Sequence, residues 1–244
     1  MSIFIERLEK VGRETSDPIG FGTSSKENDR FSDMIIIGKI VFEELLKTNN
    51  DLDDNVDAIL VSIDSSDIKS LKSVSSLLTD RLWGVKSKSL TVDQLDHLKE
   101  NGCDFIVFDI GKTPAILLSD ESIGKIVTLG HEVDNDLSNA INCLNLDCIL
   151  FIAEDRSLPL TIKEMIKFQM VRNRIDKHFI LEVPTDLEPN DIETLRNANI
   201  SGLLIDLKFP KAIIKLRRNI TELPVRKNKP RDRGSLSPQL YSNH

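Results

Sequence analysis

Eight short apolar runs recur along the chain: Met34–Ile40, Val56–Ile63, Leu82–Ser87, Asp104–Ile110, Lys125–Gly130, Asp147–Ala153, His178–Pro184 and Gly202–Leu207. The seven intervals between them can each hold a helix. The runs are nearly continuous in apolar side chains, as in Ile35-Ile36-Ile37 and Phe105-Ile106-Val107-Phe108, which is how strands covered on both faces of a parallel sheet read. The alternation of a half-exposed antiparallel strand is missing. This strand–helix beat predicts an α/β fold, a single (β/α)8 barrel over residues 1–225, closed by pairing of the eighth strand with the first.

Start and stop signals support the helical intervals. Thr91-x-x-Gln94, Thr161-x-x-Glu164 and Asn190-x-x-Glu193 each set a capping side chain three residues before a Gln or Glu that can bond back to it. Val92, Leu95 and Leu98 form one apolar stripe, and Ile192, Leu195 and Ala198 another. Gly102 follows the first stripe as a helix-terminating glycine, and the same grammar recurs at Leu195–Gly202. Ahead of the first strand, Phe4, Leu8 and Val11 share one helical face, predicting a leading helix that covers the barrel floor and stops at Gly12. A Gly-, Pro- and Ser-rich loop from Asp17 to Lys26 follows. The weakest unit lies between Gly111 and Ser122, where Thr113–Leu118 must supply a short helix. Residues 226–244 are too polar to bury a core and read as a disordered basic tail.

The joints Asn101-Gly-Cys-Asp-Phe-Ile-Val-Phe-Asp109 and Asn199-Ile-Ser-Gly-Leu-Leu-Ile-Asp206 resemble the helix-to-strand joints of aldolase-type TIM barrels, over nearly the whole ordered chain. The pairing of Pro18-Ile-Gly-Phe-Gly22 with Arg231-Asp-Arg233 is similar to a prokaryotic set of proteins of uncharacterised activity. Both resemblances imply the fold and no particular reaction.

Composition narrows the partners. The 244 residues match one such barrel, and a formal charge of −7 argues against broad attraction to nucleic acid or anionic lipid. The first ten residues lack the continuous apolar stretch of a secretory signal, and no run reaches a membrane span, which leaves a cytoplasmic location by default. Three cysteines, Cys103, Cys143 and Cys148, lack metal-site spacing and read as inert core residues. The tail carries five Lys or Arg between Arg226 and Arg233 against the lone Asp232. It lacks interleaved aromatics for base stacking, so it reads as solvated. Oligomeric state leaves no signature.

A closed barrel places its chemistry at the carboxyl ends of its strands. There the chain carries Lys39, Asp64, Lys86, Asp109, His131 with Glu132, Glu154 with Asp155, Glu182, and Asp206 with Lys208. Simple solvation of strand ends is the competing reading, because about a quarter of any soluble chain is charged. Pleating sharpens the choice: if Asp109 points inward, so do Val107 and Phe105, and Lys86 is accompanied by Gly84 and Leu82.

Lys39 and Lys86 are candidates for attack on a carbonyl, since a lysine near another cation or in a dry pocket can lose its proton. No lysine ends the sixth strand, where many Schiff-base aldolases carry theirs. Asp109, Glu154, Glu182 and Asp206 supply the hard oxygen ligands that Mg²⁺ or Mn²⁺ prefers, without a diagnostic spacing; no cofactor is predicted. His131 has the chemistry of a general acid or base near neutral pH. The loops after the seventh and eighth strands, Pro184–Pro189 and Lys208–Pro210, hold no glycine, which disfavours the phosphate cradle of many barrels. Gly20–Ser25 is the alternative cradle and reads as a turn.

Together these residues suggest a small-molecule lyase or aldolase acting on a small anionic oxo compound. Lys86 or Lys39 would serve as nucleophile or electrostatic partner and Asp109 and Glu182 as acid and base. Asp64, His131, Glu154, Asp206 and Lys208 would contact substrate. A non-catalytic barrel serving as an interaction or scaffold module is the alternative. The two part at the upper rim, where an enzyme needs a concave pocket with at least three of these charged groups converging on it.

Overall fold

The computed structural model describes residues 1–11, 32–47, 53–64, 71–152 and 161–224. Each apolar run forms one strand: β1 (Ile35–Val41), β2 (Ala58–Ser62), β3 (Trp83–Lys86), β4 (Phe105–Phe108), β5 (Gly124–Leu129), β6 (Cys148–Phe151), β7 (His178–Glu182) and β8 (Gly202–Asp206). All neighbours are parallel and in chain order, and β8 returns to β1 with Ile35 opposite Gly202 and Lys39 opposite Asp206. The ring is closed.

The period-2 pleat divides each strand between two cores. Ile37, Leu60, Val107, Ile126, Leu150, Ile180 and Leu204 fill the barrel, while Ile36, Ile59, Trp83, Ile106, Val127, Ile149 and Leu203 face the helices. The floor is sealed by α1 (Ile3–Lys10), whose Phe4 and Leu8 are fully buried in the inner core. The Phe4 ring stacks on Phe105 at 4.1 Å. Asp104, just before β4, anchors this helix: its carboxylate accepts from Ser2 Oγ at 2.6 Å and from the Ile3 and Phe4 amides at 2.9 Å, an acid at a helix N-terminus. Phe105 in turn requires Gly84, because a Cβ there would stand 2.4 Å from both its ring and its carbonyl oxygen.

Around the ring run α2 (Phe42–Leu45), α3 (Leu71–Leu77), α4 (Val92–Glu100), α5 (Asn135–Cys143), α6 (Ile162–Arg172), α7 (Pro189–Asn197) and α8 (Pro210–Thr221). The capping boxes at Thr91 and Gln94 and at Thr161 and Glu164 form. The third does not: Pro189, with its fixed φ, takes the first helical position, so Glu188 is the cap and Asn190 lies inside the helix. Leu95 and Leu98 are buried, but Val92 is exposed because it stands at the first residue of α4. Gly102 terminates α4 in the left-handed region at φ 84°, whereas α7 is followed by Asn199 at φ 61°, leaving Gly202 to open β8. Asparagine is among the few residues that tolerate that region. Between β4 and β5 the expected short helix is a 3-10 turn, Ala115–Ser119, in which Leu117 is buried and Ile116 exposed.

Cys103 and Cys148 are buried as expected, and burial pushes both thiols far above their ordinary range. Cys143 departs from the core reading: as the last residue of α5 it is exposed. Among the described residues no helix is long and apolar enough to cross a membrane. Gly12, the Gly20–Ser25 loop, Glu154 with Asp155, and the basic tail lie outside the described residues.

Candidate active site

The inward-facing residues at or just past the carboxyl ends of seven strands, β1 to β7, line the open upper end of the barrel. There the ring holds a cavity of about 510 Å³, within the roughly 300–1,000 Å³ of small-molecule sites. β1 contributes Lys39 and Val41, with Glu43 from α2 at the edge. β2 contributes Ser62 and, just past its end, Asp64. β3 contributes Lys86, followed by Ser87 and Lys88, and Asp109 follows β4 above Val107. The far side is formed by Thr128 of β5, Ile152 after β6 and Glu182 of β7.

Five sequence-predicted residues are therefore brought together: Lys39, Asp64, Lys86, Asp109 and Glu182. Lys39 and Glu182 meet across β8, the ammonium donating to the carboxylate at 2.6 Å, with the Glu182 side chain 9% exposed and Lys39 26%. Lys86 sits between Ser62 and Val107 in the sheet register, so Asp64 and Asp109, each two residues further on, flank it from the adjoining strands. Asp109 Oδ1 accepts from the Gly111 amide at 2.9 Å, a local turn that fixes the carboxylate at the rim.

The other candidates among the described residues, His131, Asp206 and Lys208, do not line the cavity. His131 stands two residues past the end of β5. Asp206 shares the inward parity of Leu204 but turns its Oδ1 to the Lys208 amide at 2.9 Å. Lys208 reaches out to Glu44 at 2.6 Å, and that hydrogen bond raises its ammonium above the ordinary lysine range. Among the described residues no three His, Cys, Asp or Glu side chains cluster as a cation site. Ser62, Ser87, Thr128 and Ile152 were not anticipated. Counting alternate positions back from the strand ends reaches Ser62 and Thr128; a search for charge passes over them.

No protein-family model matches the chain, and no curated protein matches it in sequence. Solved structures do match in shape. A mutant of the tryptophan synthase alpha-subunit from the hyperthermophile Pyrococcus furiosus superposes over 79% of this chain and 98% of its own, with a TM-score of 0.59 at 11% identity. The YdjI aldolase from Escherichia coli K12 covers 78% of this chain and 82% of its own, with a TM-score of 0.50 at 15% identity. The fold is a TIM barrel. At such identities the likeness establishes the architecture, and the chemistry has to be argued from the mouth itself.

Proposed function

We propose that this barrel is a small-molecule enzyme of the lyase or aldolase type acting on a small anionic oxo compound. One observation carries the reading: Lys39, Asp64, Lys86, Asp109 and Glu182, from β1, β2, β3, β4 and β7, converge on one cavity at the carboxyl ends of the strands. Lys39 is the electrostatic partner, since an ammonium donating to Glu182 at 2.6 Å has no lone pair to offer a carbonyl. Lys86, set between the strands that carry Asp64 and Asp109, is the nucleophile. Its neutral amine adds to the carbonyl carbon, and loss of water yields a protonated imine. As the adjacent C–C bond breaks, its electron pair passes into the imine while a carboxylate, Asp109 or Glu182, takes the proton of the departing hydroxyl. Reprotonation at carbon and hydrolysis of the imine return the free amine.

Borohydride reduction in the presence of pyruvate tests this directly. The full chain is expected to gain one reduced pyruvyl adduct at Lys86 by peptide mass spectrometry, and Lys86→Met to gain none there. Loss of the adduct in both, together with no thermal shift from any oxo acid, would favour the non-catalytic interaction module.

A further inference from the structure

The charge around the mouth is unevenly placed. It comes from β1 to β4 and from β7, while among the described residues the intervening strands β5 and β6 present Thr128 and Ile152, with Val107 of β4 beside them. Pleating sets this pattern: the inward rows are Gly124-Ile126-Thr128 and Cys148-Leu150-Ile152, and neither His131 nor Glu132, past the end of β5, lines the cavity. Among the described residues one wall is thus cationic and carboxylate-bearing, and the opposite wall is hydrocarbon with a single hydroxyl.

The β8 corner is closed to a phosphate. Lys208, the nearest cation by sequence, is drawn outward to Glu44, and Asp206 holds the amide that follows. The helix that starts there opens on Pro210, which lacks an N–H, after a cap residue whose side chain makes no capping bond. A phosphoryl group at this corner would meet a carboxylate and a donor-poor helix start.

From these two observations we infer that the site selects an unphosphorylated 2-oxo acid carrying an apolar side chain. The carboxylate faces Lys39, the carbonyl carbon meets Lys86, and the hydrocarbon rests on Ile152, Thr128 and Val107. This rests on the proposed function and adds its substrate class. Ile152 and Thr128 are then the specificity-determining residues, acting by contact with substrate.

Calorimetric titration of the full chain with pyruvate, 4-methyl-2-oxopentanoate and glyceraldehyde 3-phosphate tests it. Each buried methylene strengthens binding by roughly fourfold, so the branched oxo acid should bind at least about tenfold tighter than pyruvate. Ile152→Ser should narrow that ratio to about threefold or less, and Thr128→Val, which adds apolar surface, should widen it. Equal affinities, or tighter binding of the phosphorylated aldehyde, would overturn the inference while leaving the lyase reading standing. If no oxo acid binds, both fall.

Discussion

Arg196 illustrates how single charged residues are committed to structure. Its side chain is 2% exposed, donates to Asp33 at 3.0 Å and to the Pro224 carbonyl, and so ties the segment before β1 to the end of α8. Arg196→Met strips buried Asp33 of that partner, and the expected cost in a urea melt is about 3 kcal/mol, with Asp33→Asn restoring part of it. Asp120 gives a pH signature. Partial burial alone would raise its carboxyl, but hydrogen bonds from Lys99 and from the side chain and amide of Ser122 outweigh this and lower it to about 2. Its folded value lies below its unfolded one, so the stability it contributes is present above the ordinary carboxylate range and is lost as pH falls from about 4 towards 2. Asp120→Asn should flatten that part of the stability profile, measured by urea unfolding at several pH values. At this scale the strand-end charges were readable because each follows an apolar run. Residue type alone says nothing about which side of a pleat a residue occupies, and His131 is not among the residues that line the cavity.

At the scale of elements, local chemistry is accurate where one residue type controls one bond. Thr91 and Thr161 cap their helices as the spacing predicts, because the hydroxyl reaches the amide three residues on whatever the tertiary setting. The start of α7 is displaced because a proline outranks an asparagine in setting the first turn. The β4–β5 link shortens to a 3-10 turn because it needs to bury little more than Leu117 and to deliver Ile123 to the outer core. Gly84 is read from sequence as ordinary barrel filling, yet its smallness is dictated by its neighbour. Gly84→Ala forces a methyl to within 2.4 Å of Phe105 backbone and ring, and a loss of at least about 2 kcal/mol is expected in thermal or chemical unfolding.

Over the whole molecule the two ends of the barrel do different work. The lower end is locked by carboxylates that precede strands and accept from neighbouring amides: Asp57 from Ile36 and Asp147 from Lys125, both at 2.7 Å, and Asp104 from α1. Conserving the fold is the task of this face, so Phe4→Ala, which opens a hole beneath Phe105, should cost about 3 to 5 kcal/mol while leaving oxo-acid affinity at the far mouth within about twofold. Unfolding and titration of the same sample would check both halves. The sequence by itself determined the strand count, the parallel arrangement, the closing order and the identity of the charged groups near each strand end. These follow from runs of apolar residues and the intervals between them, which are local and additive. Only the tertiary structure decided that Lys39 meets Glu182, that Lys208 turns outward to Glu44, and that among the described residues one wall of the mouth is apolar. Those outcomes depend on the register of one strand against the next, a relation between segments far apart in the chain that no local pattern encodes.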